Sequence, residues 1–326
     1  MRVLPCKTLL LLISISVSSS VLGNQPDAAR EWLERMTTAM SQMSYQGTFV
    51  YVRGGVVETM RITHVTDETG VRERLYSTSG PHREVIRDRK GVRCVLQDSS
   101  SVVEDQVVAS SYFPELPLSV FDGDSSGYRL EFGREARIAG HTARRVTISP
   151  KDNYRYGYDF WLEEQTGLLL QWVLFDVGHK PIAKLMFTDF AIGSAVDTSE
   201  LESEASAEDF VEMKTYSLQN TVVTRSSPRW QPANLPPGFK LTSNSHKSGA
   251  EGVYEHMVYS DGLAAVSVYV EQQGIEATVK TGISQLGTTN AYTRKQGDLQ
   301  ITVIGEVPPR TVKAIAKEMA LSVSSD

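Results

Sequence analysis

The chain has 326 residues, 40% hydrophobic and 22% charged, with a formal net charge of −6, a soluble globular composition long enough for about two domains. A chain this acidic is a poor general binder of nucleic acid. With two cysteines, one of them in an N-terminal leader, it has no internal disulfide to rely on, so the fold must stand on its core.

The leader carries Arg2 and Lys7, an apolar run over 9–17, and then Val21-Leu22-Gly23, which reads as a secretory signal cleaved after Gly23. The run is shorter than the roughly 20 residues that a bilayer span needs. Cys6 lies inside the leader rather than after the cleavage site, so it is not placed for lipid attachment. Removing 1–23 takes away two basic side chains and no acidic ones, moving the net charge from −6 to −8. The mature chain is then expected free beyond the inner membrane. It keeps Cys94, within the strand-like GVRCVLQ, more simply a buried structural thiol than half of an intermolecular disulfide.

Residues 27–43 place Ala29, Trp32, Leu33, Met36, Met40 and Met43 at the three-or-four spacing of an amphipathic helix, with Asp27 after Pro26 as cap. From Tyr45 the period becomes two. Strands are expected over 45–53, 56–65, 71–77, 83–88 and 92–96, separated by Gly, Pro, Asp or Ser about every ten residues, which favours an antiparallel meander over βα units. The pattern breaks over 104–126, where SYFPELPLSVFDG suggests a loop with short helical turns. Strands resume over 128–132, 135–138, 142–149 and 181–190. Between the last two, YRYGYDFWLEEQTGLLLQW (154–172) reads as a hairpin. Its first run alternates Tyr154, Tyr156, Tyr158, Phe160 and Leu162 against Arg155, Gly157, Asp159, Trp161 and Glu163. Glu164, Gln165, Thr166 and Gly167 turn the chain, and the return run over 168–175 is apolar at nearly every position, as for a strand covered on both faces or lining a greasy concavity. About ten such strands with one leading helix would close into a barrel or curl into a half-barrel. The apolar hollow must then be plugged by the protein's own helix or loop, or left for a lipid-like ligand.

Residues 193–212 carry seven acidic side chains and no basic one, the pattern of a solvated connector. A second unit opens at WQPANLPPGFKL (230–241), with strands expected over 239–242, 254–259, 263–271 and 300–305 and a tight turn at Ser260-Asp261-Gly262. Pro308-Pro309 starts a helix striped by Val312, Ile315, Ala316 and Met319. The fold class is therefore α+β, mainly antiparallel β: a large sheet domain over 24–192, an acidic linker over 193–227, and a small antiparallel sheet with one helix over 228–326.

Catalytic signals are weak. The six histidines form no H-E-x-x-H or close His/Cys pair, so no zinc site or other metal or cofactor site is encoded at recognisable spacing. Gly123-Asp124-Ser125-Ser126-Gly127 satisfies G-x-S-x-G, but a nucleophile elbow needs a strand before it and a helix after it, and here a Pro-broken loop precedes and YRLEF follows. The residues read as an exported binding or interaction protein, not an enzyme.

Several separate stretches, YQGTFVYVR, VRERLYSTSGPHREVIR, RYGYDFWLEEQTGL, LPPGF, YSDGLAAVSVYVE and ITVIGEVPPRTVKAIA, resemble the periplasmic RseB/MucB regulators of the extracytoplasmic stress sigma factor (AlgU or sigma-E), in order from about residue 30 to 320. The resemblance implies a half-barrel like that of lipoprotein-carrier proteins with the small domain docked beside it. It implies a negative regulator that holds the periplasmic domain of a RseA/MucA-like membrane-spanning anti-sigma factor, shields it from the site-1 protease, and releases it when lipid or lipopolysaccharide acyl chains arrive. On that implication an acyl chain enters the concave face, with Phe49, Tyr51, Trp161 and Trp172 as lining candidates. The partner meets the small domain and the interdomain groove, with Tyr259, Asp261 and Arg310 as candidates, although these residues also serve simply to shape a hairpin and start a helix. A homodimer is among the partner candidates and is not decided by the sequence. The rival reading is a periplasmic lipoprotein or lipid carrier, and a hydrolase using Ser125 is more distant.

Overall fold

The computed structural model describes residues 25–80, 82–89, 91–96, 112–114, 116–122, 127–203, 211–212, 228–249, 252–272 and 280–321. Helix α1 (Gln25–Gln42) turns Ala29, Leu33, Met36 and Ala39 inward, each 4% exposed or less, while Arg30 and Glu34 pair on the outer face at 3.0 Å. The four buried positions follow the three-or-four spacing that makes one apolar stripe.

That stripe packs on an antiparallel sheet built from β1 (Tyr45–Arg53), β2 (Val56–Asp67), β3 (Gly70–Ser77), β4 (Arg83–Asp88), β5 (Gly91–Leu96), β6 (Tyr128–Ile138), β7 (His141–Pro150), β8 (Gly157–Glu163), β9 (Leu169–Phe175), β10 (Pro181–Ile192) and β11 (Val211–Glu212). The order across the sheet is β11-β5-β4-β3-β2-β1-β10-β9-β8-β7-β6. Two meanders thus meet where β10 pairs with β1, Phe49 standing opposite Phe187. In β9 every residue is buried, as the unbroken apolar run required. The sheet also bends. In a flat sheet β7 and β10 would stand three strand spacings, roughly 14 Å, apart. Yet the His141 ring lies edge-on to Phe190 at 6.0 Å between centroids. An open, curled sheet with a helix on one face is the half-barrel expected. Cys94 is buried in β5, opposite Val85, and burial raises its thiol pKa.

The small domain is a six-stranded antiparallel sheet in the order β13-β14-β15-β18-β17-β16, from β13 (Lys240–Gly249), β14 (Gly252–Ser260), β15 (Ala265–Gln272), β16 (Gly282–Leu286), β17 (Thr289–Gln296) and β18 (Leu299–Gly305). Helix α2 (Pro309–Glu318) lays Val312, Ile315 and Ala316, all 0% exposed, over Val268, Ile301 and Val303. Arg294 of β17 donates to Ala316 O at 2.6 Å and Met319 O at 2.8 Å, placing a cation on the carbonyl end of the helix where its dipole is negative. A short pair, β12 (Trp230–Pro232) with β19 (Met319–Leu321), closes the domain.

The first part of the acidic stretch differs from the solvated connector expected. Residues 193–203 fold back as a strap across β2 and β3, in two short turns, Gly193–Ala195 and Thr198–Leu201. Arg61 grips Glu200 through two hydrogen bonds, of 2.6 and 2.7 Å. Arg74 donates to the Glu200 carbonyl, and Ser203 reaches the buried Glu84. A charge run read without its partners looks like a wet surface; here the partners are arginines more than 120 residues away. The Arg61 hydrogen bond is the main cause that holds the Glu200 carboxyl below its ordinary range. A depressed folded-state pKa contributes stability that is fully present above the ordinary carboxylate value and is lost as pH falls through the depressed one. Acid titration is therefore expected to free the strap, seen as faster amide exchange at Glu200 and Glu202, and Glu200→Gln is expected to reduce that acid dependence to the part carried by Asp197, whose carboxyl the Ser199 hydrogen bonds also hold low.

Candidate functional site

The face of the large sheet that α1 covers is lined by aromatic and aliphatic side chains at cross-strand neighbours: Phe49 and Tyr51 of β1, Met60 of β2, Phe160 of β8, Trp172 of β9, and Leu185 and Phe187 of β10. Alternation brings them together, since Phe160 stands directly opposite Trp172 and Trp172 opposite Leu185. The hollow they form is filled by the protein itself. Tyr112, Phe113, Leu116, Leu118, Val120 and Phe121, from the loop between β5 and β6, join the same apolar cluster. Phe49 meets the rings of Tyr112 and Phe113, each at 5.6 Å, and Tyr51 meets Tyr112 at 5.1 Å. The Trp172 indole N–H donates to Tyr112 O at 2.8 Å, and the Tyr112 hydroxyl donates to Glu58 at the rim at 3.2 Å. Burial, then the Glu58 charge, raises the Tyr112 pKa, so it stays a neutral donor. Of the alternatives left open for the hollow, this structure holds the self-plugged one.

The second feature is the seam between the domains, and its centre is Arg155. This guanidinium is 0% exposed. It donates to Asp152 at 3.0 and 3.2 Å within its own domain, and to Asp261 Oδ2 and Pro237 O of the small domain. The Tyr128 and Phe239 rings cover it at 5.2 and 5.3 Å. Such a planar, five-donor cation can satisfy several acceptors in one plane. Gly127 is required beside it, because a Cβ there would stand 1.9 Å from Arg155 Nη1. Asp261 in turn accepts the backbone N–H groups of Leu263 and Ala264 at 2.9 and 2.7 Å, which fixes the tight turn expected at Ser260-Asp261-Gly262. Around this pin, Asn290 donates to the Tyr156 hydroxyl at 3.0 Å, Thr311 donates to Tyr154 O at 2.6 Å, and Arg53 donates to Thr289 at 3.0 Å. The strand expected from Tyr154 thus begins only at Gly157: an aspartate turn, with Tyr154 N donating to Asp152 Oδ1 at 2.9 Å, bends 154–156 toward the small domain.

Three of the four lining candidates, Phe49, Tyr51 and Trp172, lie together on the covered face. Trp161 is corrected. It stands opposite Gln171, one residue before Trp172, so alternation puts it on the other face. There it packs with Ile138, Ala143 and Leu170 under Arg145. Of the partner candidates, Tyr259 is 2% exposed in the small-domain core, its pKa pushed up to about 12 chiefly by burial. Asp261 is sealed in the seam, its side chain 3% exposed. Arg310 is exposed, over the Tyr154 ring at 5.9 Å. Arg155, Tyr112 and Asn290 were missed as site residues. A basic residue inside an aromatic strand run was the signal available for the first.

Other chemistry is sparse. No cluster of three or more His, Cys, Asp or Glu side chains able to hold a metal occurs among the described residues. No helix among them is long and apolar enough to cross a membrane. Ser125 lies outside the described residues. A cleft of about 300 Å³ beside β6 and β7 has Arg129, Arg145, Lys151, Asp152 and Asp176 on its walls, but Arg145 is engaged by both oxygens of Asp159. Its charge is mixed, with no field of one sign.

Two halves of the chain match the same family in order: residues 28–205 match the MucB/RseB N-terminal domain and residues 224–320 the MucB/RseB C-terminal domain. The chain belongs to the MucB/RseB family. The sigma factor AlgU regulatory protein MucB of Pseudomonas aeruginosa is 32% identical over 319 residues, covering 95% of this chain and 96% of that protein. The sigma-E factor regulatory protein RseB of Escherichia coli K12 is 23% identical over 320 residues, covering 94% and 95%. Among solved structures, MucB in complex with MucA(peri) superposes with a TM-score of 0.70 at 30% identity, covering 91% of this chain and all of that one. MucB alone superposes at 0.59 with the same identity. Members of the MucB/RseB family named here are regulators of sigma factors, and the N-terminal match takes in the strap on β2 and β3.

Proposed function

We propose that this chain is a periplasmic negative regulator of an extracytoplasmic stress sigma factor. After removal of residues 1–23 it holds the periplasmic segment of a membrane-spanning anti-sigma factor and shields it from site-1 proteolysis. Lipid or lipopolysaccharide triggers release. The observation that carries this reading is the superposition on MucB bound to MucA(peri), 0.70 against 0.59 for MucB alone: the domain arrangement described here is read as the partner-holding one. Release then requires acyl chains and partner to favour different states, since a ligand of equal affinity for both shifts nothing.

The partner is held by the small domain and the edge of the seam. Arg310 is the direct-contact candidate, while Tyr259 and Asp261 hold that surface in shape. The acyl chain is taken on the covered face by Phe49, Tyr51 and Trp172, each buried CH₂ contributing roughly 0.8 kcal/mol. The reading is tested by capture from envelope extract. Full-length protein is expected to retain a single-pass membrane protein with a short periplasmic tail, and a chain lacking 228–326 is expected to lose it entirely. Recovery of stoichiometric lipoprotein instead would favour the carrier.

A further inference from the structure

We propose that the loop residues filling the covered face, 112–114 and 116–122, are an internal stand-in for an acyl chain, and that their displacement by one is transmitted to the small domain through Val120 and Gly262. The inference rests on the reading that the covered face takes acyl chains.

Two sets of contacts carry it. On one side, the plug meets the lining rings mostly by non-directional packing, its polar ties being those of Trp172 and Glu58 to Tyr112 and of Arg30 in α1 to Asp122 and Leu118 O. Its six apolar side chains, among them Tyr112, Phe113 and Leu116, fill space against Phe49, Tyr51 and Phe187, and chain methylenes can make such contacts equally well. The seam, by contrast, is held by charge and hydrogen-bond geometry around Arg155, which an alkyl chain cannot replace. On the other side, the same plug leans on the small domain. A Cβ on Gly262 would stand 2.3 Å from Val120 Cγ2, with Pro117 Cγ at 3.9 Å, so the hairpin backbone rests directly on the plug. Gly262 has φ +101°, a backbone region that leaves little choice but glycine. The next residue, Leu263, packs into the large-domain cluster itself. The residue before Gly262, Asp261, is the buried partner of Arg155. An object that evicts the plug thus removes the surface on which the 260–263 hairpin rests, one residue from the ion pair that docks the domains.

The proposal sets a sign. A plug that competes with the ligand makes ligand binding tighter when it is weakened, whereas a lining residue makes binding weaker when it is removed. With spin-labelled palmitate as probe and the full chain as protein, Phe113→Ala is expected to tighten palmitate binding about tenfold, and Phe187→Ala, on the wall Phe113 touches, is expected to weaken it. Val120→Ala, which keeps Gly262 and its turn, is expected to bind palmitate at least as well as wild type yet to need about tenfold more of it to release a captured anti-sigma segment.

Unchanged or weaker palmitate binding by Phe113→Ala would make the plug a wall rather than a competitor, and would end the proposal. Wild-type release by Val120→Ala would show that the signal leaves by another route. Failure of the wild-type chain to bind palmitate at all would overturn the lipid reading along with the plug. Palmitate binding with no tightening in Phe113→Ala overturns the plug alone.

Discussion

Arg155→Ala is expected to uncouple the two domains and to cost about 3–5 kcal/mol of stability, because it leaves the buried Asp261 carboxylate, with the partly exposed Asp152 beside it, without its cation. Asp152 and Asp261 both face the guanidinium, and Asp261 is sealed from solvent. A buried carboxylate with a second negative group beside it and no counter-charge cannot persist, so the small domain separates to let water reach Asp261. Denaturant unfolding followed by tryptophan fluorescence should pass from one transition to two, and small-angle scattering should show a longer particle. Arg155→Lys should fall between, since an ammonium presents no planar fork to Asp152, Asp261 and the Pro237 carbonyl together. Adding Asp261→Asn to Arg155→Ala should recover part of the loss by removing one unpaired charge, a coupling that a double-mutant cycle isolates. A compact Arg155→Ala protein with an unshifted midpoint would contradict the seam described here. On the proposed function, the same variant should fail to hold the anti-sigma segment while both domains remain folded.

Much of the architecture was legible because burial and periodicity coincide. The runs expected over 45–53 and 83–88 are β1 and β4 to the residue, since each is bounded by turn residues and β1 alternates along much of its length. The strands over 282–286 and 289–296 were not read. GISQL has no charge and little apolar density, and β17 turns Asn290 and Arg294 toward the seam and the helix end, where their partners are carbonyls and a tyrosine hydroxyl far away in sequence. Periodicity reports greasy faces, and a strand with polar inward positions is silent to it. The site divides in the same way. Phe49, Tyr51 and Trp172 were legible as apolar positions on one face. Trp161 was misplaced because face assignment depends on knowing the cross-strand register, and one residue of slip inverts it. Arg155 was hidden because its meaning lies in Asp261, 106 residues onward.

The strap and the plug show one design principle at two strengths. Both are loop segments lying across the sheet of the large domain. The strap is fixed by charge-assisted hydrogen bonds from Arg61 and Arg74, which are directional and pH-dependent. Inside the hollow the plug meets the sheet largely by ring packing, which any apolar body of similar shape can imitate, while Arg30 of α1 holds its end at Asp122. On the proposed function, a regulator that answers to greasy ligands needs its movable element on the second kind of footing and its fixed elements on the first.

Phe49→Ala tests whether the covered face is the structural heart of the large domain. Phe49 is 0% exposed and its ring meets Tyr112, Phe113 and Phe187 at 5.5–5.6 Å. Truncation removes a whole ring from a packed cluster and opens a cavity beside Phe187 that β10, paired on both sides, is too constrained to close, so the expected loss is about 3–5 kcal/mol. Trp161→Ala removes a larger side chain from the opposite face, where the indole is only half-buried beneath Arg145; the expected loss there is about 1–2 kcal/mol. Chemical denaturation of the two variants side by side decides the register. Near-equal losses, or a larger loss for Trp161, would mean that Phe49 and Trp172 do not share the packed face. A small apolar molecule such as benzene should raise the midpoint of Phe49→Ala and leave Trp161→Ala unmoved, because a dry cavity lined by rings binds apolar guests while a half-open surface has nowhere to hold them. On the proposed function the same pair separates ligand from scaffold: palmitate binding is expected to fall in Phe49→Ala and to persist in Trp161→Ala.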